Sequence, residues 1–321
     1  MNCRSKFAFV TLACLAFVLP LLAQQKGQWV PGQGGLNTGV LPDPGFTFAN
    51  LTLNYSASSL KDSNGNSIPT KGSYSFWVVE SMIYYVPKFK ILGGNFAIMS
   101  ILPAANGSLT APTFGFTGGG YGYADTWVQP VTLGWHKKRV DNWVAYGFTA
   151  PTGRYNAGAT NNIGSGYWGQ NIVTGTTVYL KKNRGTSASL LTDWEIHGQK
   201  KGSMMTPGQA FTMEWGLGQI LPLDKQFKKL LQVGIIGYDQ WQVTSNGGTI
   251  GGATISVPAS ILPLYSVHAA GFQTNFIMPA KNVSLYFKYE PEYLAKAHTR
   301  GRTIAFGAGY TFGIPKKLPP K

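Results

Sequence analysis

Cysteine is nearly missing from this chain: there are two in 321 residues, Cys3 and Cys14, both inside the first apolar run. Once that run is removed, neither disulfide staples nor thiolate–metal chemistry can operate. Acidic residues are also scarce, 12 against 27 lysines and arginines, giving a formal net charge of +15. After residue 22 there is no further apolar stretch near the roughly 20 residues a spanning helix requires, so a helical membrane protein is excluded. No G-x-S-x-G element, phosphate loop or metal-ligand spacing is found around the four histidines, His136, His197, His268 and His298, and an enzyme or a cofactor is not expected. Basic and aromatic residues are not interleaved on one face, which argues against nucleic-acid binding.

What is present begins with an export signal. Arg4 and Lys6 precede an apolar run from Phe7 to Leu22, and Leu21-Leu22-Ala23 then meets Gln24-Gln25. Residues 1–23 read as a signal peptide cut between Ala23 and Gln24. A lipoprotein cut before Cys14 fits less well, because the apolar run continues past it.

The rest alternates with a period of two. In Gln209–Leu221, Phe211, Met213, Trp215 and Leu217 oppose Thr212, Glu214, Gly216 and Gly218. In Asn282–Tyr293, Val283, Leu285, Phe287 and Tyr289 oppose Ser284, Tyr286, Lys288 and Glu290. This is the pattern of strands with two different faces. About twelve such segments can be marked: 46–57, 73–86, 91–103, 125–136, 141–150, 171–181, 187–198, 208–221, 229–242, 262–278, 282–293 and 302–312. Most are near the 9–11 residues of a tilted membrane strand. A closed barrel is the only strand architecture that satisfies every backbone group in lipid. Alternation also explains a mean hydropathy of −0.04 beside 13% aromatic residues and 41 glycines, a composition that a secreted β-sandwich would share.

The connections separate the two. Long ones (58–72, 104–124, 151–170, 199–207, 243–261 and 294–301) alternate with short ones near 87–90, 137–140, 182–186, 222–228 and 279–281. Short turns on one rim and long loops on the other are the mark of outer-membrane barrels. Fifteen of the 25 basic residues beyond the signal lie in or beside the short turns or after the last strand, among them Lys88, Lys137, Lys182, Lys228 and Lys281. They form a positive periplasmic rim suited to water and anionic headgroups. The expected plan is thus an all-β, transmembrane antiparallel β-barrel of about 12 strands, with 10 or 14 as alternatives. It has an N-terminal periplasmic segment at 24–45, the barrel at 46–312 and a tail at 313–321.

By parity, Glu80, Asp193, Glu195, Glu214, Lys288 and Glu290 should face the lumen, since charges cannot face lipid cheaply. They would act either as selectivity groups of a channel or as an internal salt-bridge network that plugs it. Pro130 falls inside a strand, where it removes a ladder donor; it marks a bulge, structural or serving as a lateral gate. The loop after Ala150 either folds inward, with Arg154 and Tyr155 lining the pore, or stays in solvent.

One block is distinctive. Asp125, Gln129-Pro130 and Gly134-Trp135 are followed by Tyr146-Gly147-Phe148, Ala150-Pro151-Thr152-Gly153-Arg154-Tyr155 and Gly166-Tyr167-Trp168. With Thr206-Pro207-Gly208, Glu214-Trp215-Gly216-Leu217-Gly218 and Gly234–Gln240, the chain resembles the phenol-degradation meta-pathway outer-membrane proteins over roughly residues 40–312. The resemblance implies an outer-membrane barrel of a Gram-negative bacterium that passes hydrophobic substrates. Expected partners are outer-membrane lipid, the barrel assembly machinery and small apolar or aromatic solutes. The expected function is a channel for passive uptake of small hydrophobic or aromatic compounds. The alternative is a structural or surface-interaction barrel with a plugged lumen. Barrel proteins usually end on an aromatic residue; here Tyr310-Thr311-Phe312 fits, and Gly313–Lys321 extends past it.

Overall fold

A computed structural model describes residues 27–69, 72–111, 116–250 and 253–312. The expected signal peptide, its cut at Ala23–Gln24 and the tail 313–321 lie outside the described residues. Twelve antiparallel strands form the wall: β1 (Gly45–Lys61), β2 (Ser73–Val86), β3 (Gly94–Ala111), β4 (Thr126–His136), β5 (Val140–Ala150), β6 (Gly169–Tyr179), β7 (Thr186–His197), β8 (Ala210–Pro222), β9 (Leu230–Gln242), β10 (Ser266–Met278), β11 (Val283–Lys296) and β12 (Thr299–Phe312). Each pairs with its sequence neighbour, and β12 returns to β1 from Phe46↔Phe312 to Leu60↔Thr299. The sheet therefore has no open edge, the condition lipid imposes on strands.

Side-chain alternation decides which face is which. In β7, Ser187, Ser189, Leu191, Asp193, Glu195 and His197 are buried, while Leu190, Trp194 and Ile196 point outward and are exposed. The same division puts Phe48, Trp77, Ile172, Ile235, Phe272 and Phe306 on the outside. An apolar exterior over an interior rich in buried polar and charged side chains differs from a water-soluble sandwich, whose exterior is polar and whose apolar side chains meet between two sheets.

Where sequence and structure differ, the hydrogen-bond ladder gives the reason. β3 continues eight residues past the expected end at 103, because it pairs both with β2 and with the ribbon Phe116–Tyr123 that projects beyond the wall. β10 begins at Ser266 rather than 262. The long loop expected at 294–301 shrinks to Ala297 and His298, since β11 and β12 extend into it; Ala297 takes the left-handed turn conformation at φ 46°. The register of β4 against β5 shifts between Val128 and Val131, so Gln129-Pro130 sits in a bulge. Proline at that point removes no regular ladder bond.

At the turn end, the β2–β3 connection lies against the outside of the wall. Phe89 stacks on Phe96 with ring centroids 5.8 Å apart, and the Trp135 indole N–H donates to the Leu92 carbonyl at 3.2 Å. Exposed Lys88 and Lys90 flank this apolar contact.

Ile235 is near the middle of β9 and 56% exposed. Ile235→Arg should lower folding stability in lipid vesicles by about 2–4 kcal/mol, the cost of arginine near the bilayer midplane. Denaturant titration would measure it; an unchanged midpoint would mean that this face does not meet hydrocarbon.

Candidate functional site

The barrel interior is occupied. Residues 27–44, expected to be a periplasmic segment, instead run through the lumen from the loop end to the turn end, where β1 begins. The reason lies in what lines the wall. A chain entering the barrel must satisfy its backbone groups away from water, and the inward side chains of β6 to β11 do this in order of depth. At the loop end Gly27 N–H donates to the Tyr265 hydroxyl at 2.8 Å. Glu195 accepts the N–H groups of Gln28 and Trp29 at 2.6 and 3.1 Å. Glu214 accepts the Trp29 indole at 2.6 Å and the Gly34 amide at 2.5 Å. Lys288 approaches from the other side and donates to the carbonyls of Gly32, Gln33 and Gly34. Deeper still, Gln273 takes Leu36 N–H, Ser189 takes Asn37 N–H, and Thr177 takes Gly39 N–H. The Trp143 indole donates to the Thr38 carbonyl at 2.7 Å.

Two glycines make this path possible. Gly32 sits at φ +93°, a left-handed conformation that turns its carbonyl toward Lys288. At Gly39 a Cβ would come 2.2 Å from the Thr177 backbone nitrogen, so no side chain fits between segment and wall.

Glu80, Asp193, Glu195, Glu214, Lys288 and Glu290 are all buried inside the barrel, none more than 3% exposed. The structure brings Glu195, Glu214 and Lys288 directly onto the segment, and Glu80 onto it through Gln33 Nε2 at 3.3 Å. Asp193 instead accepts both its bonds from the Asn171 amide. Lys288 spends its donors on backbone carbonyls, and the ion pairs on the inward face join Arg184 to Asp141 and His197 to Glu195. Hydrogen bonds to charged groups contribute roughly 1.5–3 kcal/mol each, so the segment is a fixed part of the fold.

The motif around Asp125 holds the top of this arrangement. Its carboxylate accepts Gly153 N–H at 2.9 Å and both the N–H and the hydroxyl of Ser165 at 2.6 Å. The same Ser165 oxygen accepts the Gln28 side-chain amide at 2.6 Å, and the Tyr167 carbonyl accepts it too, at 3.0 Å. Asp125 therefore ties the β5–β6 loop to the luminal segment through one serine. Thr152 closes the start of the loop by accepting Thr126 N–H. Arg154 is exposed and bonds the Asn161 carbonyl within the loop, and Tyr155 packs beside Gly166 and under Lys200. Neither lines the interior; Ile163, Gly164, Ser165 and Tyr167 do. Burial draws the Lys200 ammonium below the ordinary lysine range. Of the other motif residues, Gly134 makes room for Leu41 of the segment and Gly147 for the Trp127 ring. Buried Gln129 bonds Thr132 at 2.5 Å, Pro151 opens the loop, and Trp135 and Trp168 lie on the outer side.

The segment divides the lumen into two chambers. The loop-end chamber, about 460 Å³, is walled by Tyr55, Tyr74, Phe76, Val78, Ile101 and Trp127, with Glu80, Tyr238, Gln240, Glu292 and His298 set among them. The turn-end chamber, about 940 Å³, sets Gln129, Asp141, Arg184, Gln232, Gln273 and Lys288 among apolar residues such as Leu41, Met82 and Trp143. Trp29 and Gln33 belong to both, and so form the partition. Trp29 stands edge-on against Trp127 at 5.1 Å. Sequence reasoning missed this partition. The available signal was a tryptophan and five glycines in 27–44, a stretch without charge until Asp43, a poor composition for a solvated linker.

Lys288→Met should loosen the partition by leaving three carbonyls without their donor. A cysteine introduced at Gln33 should then react with a water-soluble maleimide at least tenfold faster than in the Lys288 background. Equal rates would mean that Lys288 does not hold the segment.

No curated protein matches the chain by sequence. Its fold is similar to that of an outer-membrane channel from Pseudomonas putida F1, at 14% identity and a TM-score of 0.69, covering 89% of this chain and all of that one. It is also similar to the β domain of the Bordetella autotransporter BrkA, at 12% identity and a TM-score of 0.50, covering 84% and 100%. A sealed barrel of this kind, apolar outside, places the protein in the outer membrane of a Gram-negative bacterium. The family model described as "Putative MetA-pathway of phenol degradation" matches residues 57–306, and the chain belongs to that family.

Proposed function

We propose that this barrel is a channel for passive uptake of small apolar or aromatic solutes, gated by its own N-terminal segment. The observation that carries the reading is the loop-end chamber: a space of about 460 Å³ with aromatic and aliphatic walls inside the closed barrel. An apolar cavity of roughly 150 Å³ is enough to hold benzene, so one aromatic ring fits with room to reorient. Mostly apolar walls with a few placed polar groups are what small-molecule sites have in common. No energy-coupling element is part of the proposal, and neither is a chemical step. A solute would leave the loop-end chamber past Trp29 and Gln33 when that short stretch shifts. The stretch is held by side-chain hydrogen bonds and has no sheet partner, so its displacement breaks no strand pairing and is a local event rather than an unfolding of the wall.

The filled lumen itself favours a second reading, a structural barrel permanently closed by its segment. A reversible lock separates the two. Asn37 lies against Ser187 and Ser189 of β7, with Ser187 Oγ 2.9 Å from Asn37 Oδ1. Cysteines at Asn37 and Ser187 should pin the segment when oxidised. In cells with a lipopolysaccharide outer leaflet, uptake of labelled toluene should fall to the level of cells lacking the protein and return on reduction. Uptake above that background that ignores the lock would overturn gating by the segment, and uptake never above it would leave the structural reading standing.

A further inference from the structure

The chain carries more than twice as many basic as acidic residues, yet the loop-end chamber reverses this balance. Its described lining includes three carboxyl groups, Glu80, Asp125 and Glu292, and neither lysine nor arginine. Lys288 and Arg184 both line the other chamber, and Lys288 is committed to the carbonyls of Gly32, Gln33 and Gly34. Asp125 is fully engaged by Gly153 and Ser165, and Glu292 by the hydroxyls of Tyr55 and Tyr238 and the amide of Gly301.

Other polar atoms in the same walls are not engaged. Glu80 Oε2, Gln240 Oε1 and the Trp127 indole nitrogen have no hydrogen-bond partner among the described residues. Glu80 is 3% exposed, Gln240 0% and Trp127 6%. A buried polar atom without a partner costs about 1–3 kcal/mol, and such groups mark a place where something else supplies the bond. Two of the three are acceptor oxygens and one is a donor.

We infer that the loop-end chamber is a binding site for apolar compounds that carry a hydroxyl or an amine, and that it discriminates against carboxylates built on the same apolar body. A hydroxyl can donate to an acceptor such as Glu80 Oε2 or Gln240 Oε1, or accept from the Trp127 indole, while the rest of the solute packs on apolar wall residues such as Tyr74, Phe76, Val78 and Ile101. An ammonium gains further from three carboxyl groups and an aromatic wall. A carboxylate meets three carboxyl groups, finds neither lysine nor arginine in the described lining and leaves the orphaned acceptors unmatched. A site built to hydrogen-bond a ligand penalises the analogue that lacks the group, because its own buried atoms are left unpaired. The inference rests on the proposal that this chamber admits apolar solutes, and it narrows which ones.

The test is equilibrium binding of four compounds with one ring in common (toluene, benzyl alcohol, benzylamine and benzoate) to the full purified barrel in detergent at neutral pH, followed by calorimetry. Benzyl alcohol and benzylamine should bind about tenfold more tightly than toluene, with benzoate weakest of the four. Glu80→Leu should bring benzyl alcohol close to toluene, while Glu80→Gln, which keeps an acceptor oxygen at the site, should preserve the preference. If Glu80→Leu does not fold, the wild-type series and Glu80→Gln decide. Benzoate binding as well as benzyl alcohol, or benzyl alcohol no better than toluene, would overturn the inference while leaving the apolar-solute channel intact. Binding of none of the four would overturn both.

Discussion

The architecture depends on backbone hydrogen bonding away from water, applied twice. Lipid forces the twelve strands to close, since any edge left open would strand its N–H and C=O groups. The same demand then falls on the chain threaded through the closed wall. Residues 27–39 have no sheet partner, and they persist inside because Glu195, Glu214, Lys288, Gln273, Ser189 and Thr177 present one acceptor or donor after another along their path. The inward charges are thus matched to a particular backbone, which is why they need not match one another.

That matching links the motif residues to the luminal segment. Asp125 organises the β5–β6 loop through Gly153 and Ser165, and Ser165 passes the constraint to Gln28 at the top of the segment. One residue further, Trp29 meets Trp127 and forms part of the partition. The route from an external loop to the divide between chambers is therefore three residues long and made of direct contacts.

Most of the wall could be read from the sequence because alternation is a local property: each strand declares its two faces without reference to its neighbours. A barrel rather than a sandwich also followed, from loop lengths alternating around the ring, and about twelve strands from counting the alternating segments. The contents of the lumen could not be read the same way. Parity put Glu214 and Lys288 on the inward face, but nothing local to those positions says that their partners are the amide of Gly34 and the carbonyls of Gly32–Gly34, some 180 to 256 residues away. Residues 24–45 lack a period, and aperiodic chain reads as linker. The extended β11–β12 hairpin was obscured for a related reason: Lys296 and Arg300 look like loop residues, yet they continue a ladder beyond the apolar belt, where charge costs little. Arg154 and Tyr155 were attractive as pore residues by type alone, but the turn held by Asp125 directs Ile163–Ser165 inward instead.

The central claim, that the N-terminal segment is a fixed luminal element, is tested most directly by amide hydrogen exchange of the folded barrel resolved to single residues. The amides of Gln28, Trp29, Gly34, Leu36, Asn37 and Gly39, each bonded to an inward side chain, should exchange at least a hundredfold more slowly than in the free peptide. Exchange at the free-peptide rate at these six positions, with the strands protected, would contradict the account.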